Sequence, residues 1–144
     1  MAVEFFFQEI KITLPDRNRL KQFIGQLFRK EKKTLVSINY IFCSDTYLLD
    51  INQQFLKHNY YTDTITFNLS NNLHTIEGEV YISVDRVRAN AQKFNLTLKE
   101  ELHRVIFHGT LHLCGYNDKG KKEKNKMTKA EDIYLSAYLF NRST

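Results

Sequence analysis

Two punctuation signals fix one helix, and that helix constrains any fold this chain can adopt. Thr97-Leu98-Lys99-Glu100 has the form of a capping box, in which each side chain satisfies the other residue's free backbone N–H. Gly115 is the residue type best able to take the left-handed conformation just past a helix C-terminus. Between them the sequence predicts a helix running to Cys114, whose apolar positions have to be covered by the rest of the chain.

The covering elements are legible on both sides. Val3 to Leu14 places Ile10, Ile12 and Leu14 at alternate positions, the period of a half-buried strand. Asp16 stands where an N-cap belongs, and Leu20, Phe23, Ile24, Leu27 and Phe28 follow at helical spacing. The basic run Arg29, Lys30, Lys32 and Lys33 complements the dipole at that helix's C-terminus. Leu35 to Ser44 is rich in β-branched and aromatic residues and predicts a strand, followed by a helix capped by Ser44 or Asp45 and reaching about Lys57. Thr64–Leu69 and Glu79–Val84 read as short strands, and Asp85 as the cap of a short helix carrying Val87, Ala91 and Phe94. Thr128 to Glu131 reads as a second capping box, opening the last helix. The order β-α-β-α-β-β-α-α-α predicts an α+β fold. A small mixed sheet of about four strands packs with about five helices, in a single domain over residues 1–144.

Composition excludes several classes. The 144 residues suit one domain, and 42% apolar residues argue against intrinsic disorder. One proline and five glycines exclude a collagen-like or linker-like chain. No stretch approaches the roughly 18 apolar residues of a membrane helix, and a start carrying Glu4 and Glu9 without a basic run does not read as a signal peptide. Cys43 and Cys114 are too few for a disulfide framework and read as reduced, buried thiols, so the expected location is the cytoplasm, with no membrane partner. A net charge of +5 gives a mild preference for anionic partners.

The chemistry collects at one place, His108-Gly109-Thr110-Leu111-His112-Leu113-Cys114-Gly115-Tyr116-Asn117-Asp118. Two histidines four apart on a helix project from one face, one turn apart, and can chelate one metal ion. Gly115 frees the chain to fold back, so that Asp118 can supply a third ligand. Three protein ligands with an open fourth position describe a catalytic zinc site rather than a closed structural one. The histidine pair alone is weak evidence, but the longer spacing is specific. Metzincin peptidases place His, His, Gly and His at relative positions 0, 4, 7 and 10, and here those positions hold His108, His112, Gly115 and Asp118. One substitution argues against a peptidase. Zincins carry a glutamate directly after the first histidine as general base, and that position is Gly109. His103 lies roughly 140° round the helix from His108; it, His58 and His74 read as incidental.

His-Gly-x-Leu-His-Leu-x-Gly-Tyr followed by a third ligand resembles the signature of the YbeY family of rRNA maturation endoribonucleases. The resemblance extends over most of the chain. Thr62-Asp63-Thr64-Ile65-Thr66-Phe67 is similar to the family's Thr-Asp-Val-Leu-Ser-Phe segment, and Gly78-Glu79-Val80-Tyr81-Ile82-Ser83 to its Gly-Asp-Ile-x-Ile-Ser strand. Glu100, Glu101 and Leu102 lead into the histidine helix as the family's Glu-Leu does, and Met127 with Glu131 occupies its later Met…Glu positions. The resemblance implies a small α+β fold with one zinc ion held by His108, His112 and Asp118. It also implies a metal-dependent endoribonuclease acting on single-stranded RNA, in maturation of small-subunit ribosomal RNA and ribosome quality control, with small-subunit ribosomal components as partners. No catalytic group is assigned beyond a metal-activated water.

Two departures from the family pattern matter. The family's Tyr-Asp-His ending is Tyr116-Asn117-Asp118 here, so an anionic oxygen replaces the third imidazole. A carboxylate offsets one of the metal's two charges and leaves a bound water a weaker acid than three neutral imidazoles would. The family's functional arginine aligns with Leu56, which cannot hold a phosphate; Lys57 or His58 is the available substitute, but a residue one position along the helix points about 100° away. Beyond the motif, six lysines stand against Glu123 in Lys119–Lys129. Of these, Lys119, Lys121 and Lys122 are the expected RNA-backbone contacts, and Tyr60, Tyr61 and Tyr116 can stack bases. The second reading is a ribosome-associated RNA-binding protein with a structural metal and little catalysis.

Overall fold

A computed structural model describes residues 2–72 and 74–140. In chain order the elements are β1 (Val3–Phe7), α1 (Arg17–Lys30), β2 (Thr34–Cys43), α2 (Asp45–Leu56), β3 (Thr64–Asn68), β4 (Thr75–Ser83), α3 (Val84–Lys93), α4 (Leu98–Leu113) and α5 (Gly120–Leu139). The sheet order is β1-β2-β4-β3, with β1, β2 and β4 parallel and β3 antiparallel to β4, so the mixed α+β architecture expected from the sequence is the one formed.

The strands bury alternate residues on one face. Ile38, Tyr40 and Phe42 of β2 and Val80 and Ile82 of β4 are fully buried, and they meet α1, α4 and α5 in the main core. A smaller cluster on the other side joins Leu48 of α2 to Cys43 and Ile65, with Phe67 and Tyr81 against it. Helix α4 therefore lies on one face of β3 and β4, and α2 on the other. At the centre of the main core the Tyr40 hydroxyl donates to Thr110 Oγ1 at 2.6 Å, and Thr110 passes its own hydrogen to Ile106 O at 2.7 Å. This satisfied chain welds β2 to the helix that carries the histidines.

Helix α4 begins and ends on the predicted signals. Glu100 N–H donates to Thr97 Oγ1 at 3.0 Å, and Thr97 N–H donates to Glu100 Oε1 at 3.3 Å. At the other end Gly115 takes φ 107°, and Tyr116 N–H reaches back to Leu111 O at 3.1 Å. That reversal sends the chain back across the helix end.

Several expectations change. The first strand ends at Phe7 rather than Leu14, because Glu9 enters the left-handed region and breaks the extended run. Ile10, Ile12 and Leu14 still pack on the core from an irregular segment. Asp16 sits at the N-cap position with φ 53° and makes no side-chain cap bond. Ser83, not Asp85, caps α3, accepting from Arg86 N–H at 3.2 Å, while the Asp85 carboxylate accepts from Asp45 N–H at 2.8 Å. The second capping box does not form. Helix α5 already starts at Gly120, since lysine is a good helix former and nothing in the run stops it. Thr128 is thus inside the helix, its hydroxyl donating to Lys124 O at 3.0 Å, and Glu131 is free to face inward.

Candidate metal centre

His108 and His112 project from α4 as helical spacing requires, with ring centroids 4.6 Å apart. Their Nε2 atoms approach to 3.1 Å. Two ligands of a tetrahedral zinc, each about 2.0–2.1 Å from the ion, lie about 3.3 Å apart, so the pair already has the spacing of two ligands on one ion. Both Nδ1 hydrogens are committed outward. His108 Nδ1–H meets Glu131 Oε2 at 2.5 Å, and His112 Nδ1–H meets Tyr116 O at 3.1 Å. The two Nε2 lone pairs then face each other, an arrangement that repels unless a cation or a shared proton lies between them. The donor set fits a divalent metal.

The chain reversal at Gly115 brings Asp118 to the same spot. Its Oδ2 lies 3.9 Å from His108 Nε2 and 3.8 Å from His112 Nε2, and its side chain is 50% exposed. These separations exceed the tetrahedral edge by roughly half an ångström, which a rotation of a half-exposed carboxylate can close. The three residues form a group that could hold a metal ion.

Behind the rings stands a layer that sequence reasoning did not resolve. Glu131 is only 6% exposed, and its second oxygen accepts from Arg104 Nη1 at 3.0 Å, while Arg104 Nη2 reaches Asp132 at 2.7 Å. A buried carboxylate held by an arginine on one side and an imidazole on the other fixes both the tautomer and the plane of His108. Tyr116 does the corresponding task for His112. Its hydroxyl donates to Glu31 Oε1 at 3.0 Å, and Tyr134 donates to the other Glu31 oxygen, pinning the loop whose carbonyl takes the His112 proton.

The electrostatics favour a cation. Burial works against charge on His108, but the hydrogen bond and charge of Glu131, aided by Asp63 and Asp118, outweigh it and raise the imidazole above its ordinary value. Burial, then the charge on His108, push His112 down. Burial also lifts the Asp63 carboxyl, against the pull of His108, and lifts Glu101, with Asp63 adding to the effect. Without metal, the raised His108 therefore favours an additional proton on the pair, which an incoming ion has to displace. Metal affinity is expected to fall about tenfold per pH unit once pH drops below the raised His108 value, a decline that begins above the usual imidazole value of about 6.5. Calorimetric titration in two buffers of different ionisation enthalpy checks this. The number of protons released per ion should rise as pH falls toward the raised His108 value, and no release at any pH contradicts the assignment.

The group opens into a cavity of about 270 Å³ whose wall includes Asn52, Leu56, His58, Tyr60, Asp63 and Thr64 as well as the three candidate ligands. His58, which the sequence left as incidental, is thus part of the site's wall. His103 is not: its ring is buried against Tyr138, with Nδ1–H donating to Lys99 O at 2.7 Å. Tyr116 is half-buried, with its hydroxyl donating to Glu31 and its ring packed on the core edge. Lys119, Lys121 and Lys122 are exposed at the start of α5, directly after Asp118. At the position of the peptidase glutamate, a Cβ on Gly109 would sit 2.6 Å from Val80 Cγ1, so the helix meets the sheet where no side chain fits. Cys43 and Cys114 are buried free thiols, each pushed up to about 12 chiefly by burial, and stay inert. Among the described residues no helix is long and apolar enough to cross a membrane.

The chain resembles known proteins along nearly its whole length. It is 48% identical over 139 residues to the Endoribonuclease YbeY of Cytophaga hutchinsonii, covering 96% of this chain and 97% of that protein. It is 41% identical over 136 residues to that of Parabacteroides distasonis, covering 94% and 95%. A solution structure of a Thermotoga maritima protein matches with a TM-score of 0.65 at 27% identity, covering 94% of this chain and 88% of that one. The family profile described as Endoribonuclease YbeY matches residues 4–139, and the chain belongs to that family.

Proposed function

We propose that residues 1–144 form one zinc-dependent endoribonuclease domain that cuts single-stranded RNA. The proposed setting is the cytoplasm, in maturation of small-subunit ribosomal RNA and in ribosome quality control, with small-subunit components as partners. His108, His112 and Asp118 are the proposed zinc ligands, and Lys119, Lys121 and Lys122 the contacts to the RNA backbone. The observation that carries this reading is the pair of outward-anchored imidazoles whose Nε2 atoms face each other at 3.1 Å on the wall of an open cavity. The naming of the relatives as endoribonucleases supports it.

Zinc, when bound, supplies Lewis-acid polarisation of a phosphoryl oxygen and a water acidified for attack. The chain's own residues prepare the site for it. Glu131 keeps the His108 proton on Nδ1, and Tyr116 O keeps that of His112 on Nδ1, so both Nε2 atoms remain donors to the ion. Lysines at the first turn of α5 reinforce the positive end of that helix's dipole, drawing a phosphate chain toward Asp118 and its neighbours.

The direct test uses a single-stranded ribosomal RNA fragment. Wild type is expected to cut it, a chelator to stop the cutting, and His112→Ala to lose at least about a hundredfold in rate while still retaining the strand. Leu56 on the cavity wall, offering no charge to a phosphate, favours the second reading of a binding protein with a structural metal. That reading requires metal-loaded wild type to bind the fragment without cutting it.

A further inference from the structure

We propose that His58 and Tyr60 form a nucleobase-stacking subsite in the wall of the metal cavity; this deepens the RNA reading and rests on it. Tyr60 is 56% exposed, yet it is held still. Its ring stacks on His58 with centroids 5.1 Å apart and planes 20° from parallel, and its hydroxyl is hydrogen-bonded to His58 Nδ1 at 3.0 Å. The backbone beneath the pair is tied to Asn52, itself 1% exposed. Asn52 Nδ2 donates to Tyr60 O at 2.9 Å, and His58 N–H donates to Asn52 O at 3.1 Å. An exposed aromatic pair that folding has already ordered binds a flat partner at little further entropic cost.

The chemistry of the surrounding wall selects that partner. Leu56, His58 and Tyr60 bring no lysine or arginine, so this part of the cavity does not grip a phosphate. It presents a π-surface to a flat, uncharged group, and every base has such a face. The volume of about 270 Å³ lies just below the roughly 300 Å³ of the smallest ligand pockets. It is of the order of a single flat ring system rather than of a stacked pair of bases. His108, His112 and Asp118 line the same cavity as Tyr60, so a base on the ring and the strand's phosphate would share one cavity with the candidate ligands.

The test titrates the zinc-loaded full chain with 5′-AMP, which has no phosphodiester bond to cut, and with ribose 5-phosphate, which lacks the base. AMP is expected to bind about fivefold tighter or more. That preference should vanish in Tyr60→Ala and persist in Tyr60→Phe, with ribose 5-phosphate affinity the same in all three proteins. Equal affinities for the two ligands in wild type, or a preference that survives Tyr60→Ala, overturns the proposal. The thermal midpoints of the variants show that each is folded. Failure of the RNA-cleaving reading is distinguishable: the chain then leaves RNA intact but still discriminates AMP from ribose 5-phosphate through Tyr60.

Discussion

Gly109→Glu, the substitution that would restore the peptidase pattern, is expected to destabilise the fold by about 3 kcal/mol or more and to yield no peptidase. A Cβ at this position would lie 2.6 Å from Val80 Cγ1. Val80 is fully buried in β4, between β2 and β3, and a β-branched side chain has little rotamer freedom to withdraw. Helix α4 must then lift off the sheet, carrying with it the Tyr40–Thr110 bond and both histidines. For a domain of this size the loss corresponds to roughly 10 °C in the thermal midpoint. Gly109→Ala isolates the steric part, because alanine is otherwise a better helix former than glycine by about 1 kcal/mol. A thermal midpoint raised in Gly109→Ala by the full helix-propensity gain would show that the helix–sheet contact yields easily, and would remove the steric reason for excluding a side chain there.

The second large effect is expected at Glu131. Glu131→Ala removes the acceptor that holds the His108 proton on Nδ1 and leaves Arg104 with Asp132 alone. Outer partners of metal-bound histidines are worth about 10- to 100-fold in metal affinity, and a loss in that range is expected. Competition against a chromophoric chelator measures it. Glu131→Gln should recover part of the loss, since an amide oxygen still accepts from the imidazole but without the charge. Equal zinc affinity in wild type and Glu131→Ala would show that the hydrogen bond does not orient His108.

These two positions mark where sequence reasoning succeeds and where it stops. Helix α4 was legible because its signals are local: a capping box, a terminal glycine and two histidines one turn apart depend on spacing within one element. The order of strands and helices followed from periodicity in the same way. Gly109 was legible as a missing base, but not as a contact, because its reason is Val80, a residue on another element. Glu131 was visible only as a family position; its partners His108 and Arg104 sit on α4, and nothing local to Glu131 points to them. A lone histidine such as His58 carries no spacing signal, and only the return of the chain past Asn52 puts it on the cavity wall. The false capping box at Thr128 shows the opposite failure. The motif was present, but the lysine-rich stretch before it already formed helix, so no free N–H groups remained there to cap. Asp118 falls between these cases, since its approach depends on the glycine-driven reversal, which was legible, and on a loop pinned by Glu31, which was not.

The two helix histidines and the returning carboxylate are expected to hold one metal ion. Metal content per chain, by mass spectrometry on purified wild type and Asp118→Ala, tests it directly. About one equivalent of zinc in wild type, falling sharply in the variant while the protein remains folded, is the predicted result. A wild-type chain that binds no metal when zinc is supplied, or a variant that retains a full equivalent, would contradict it.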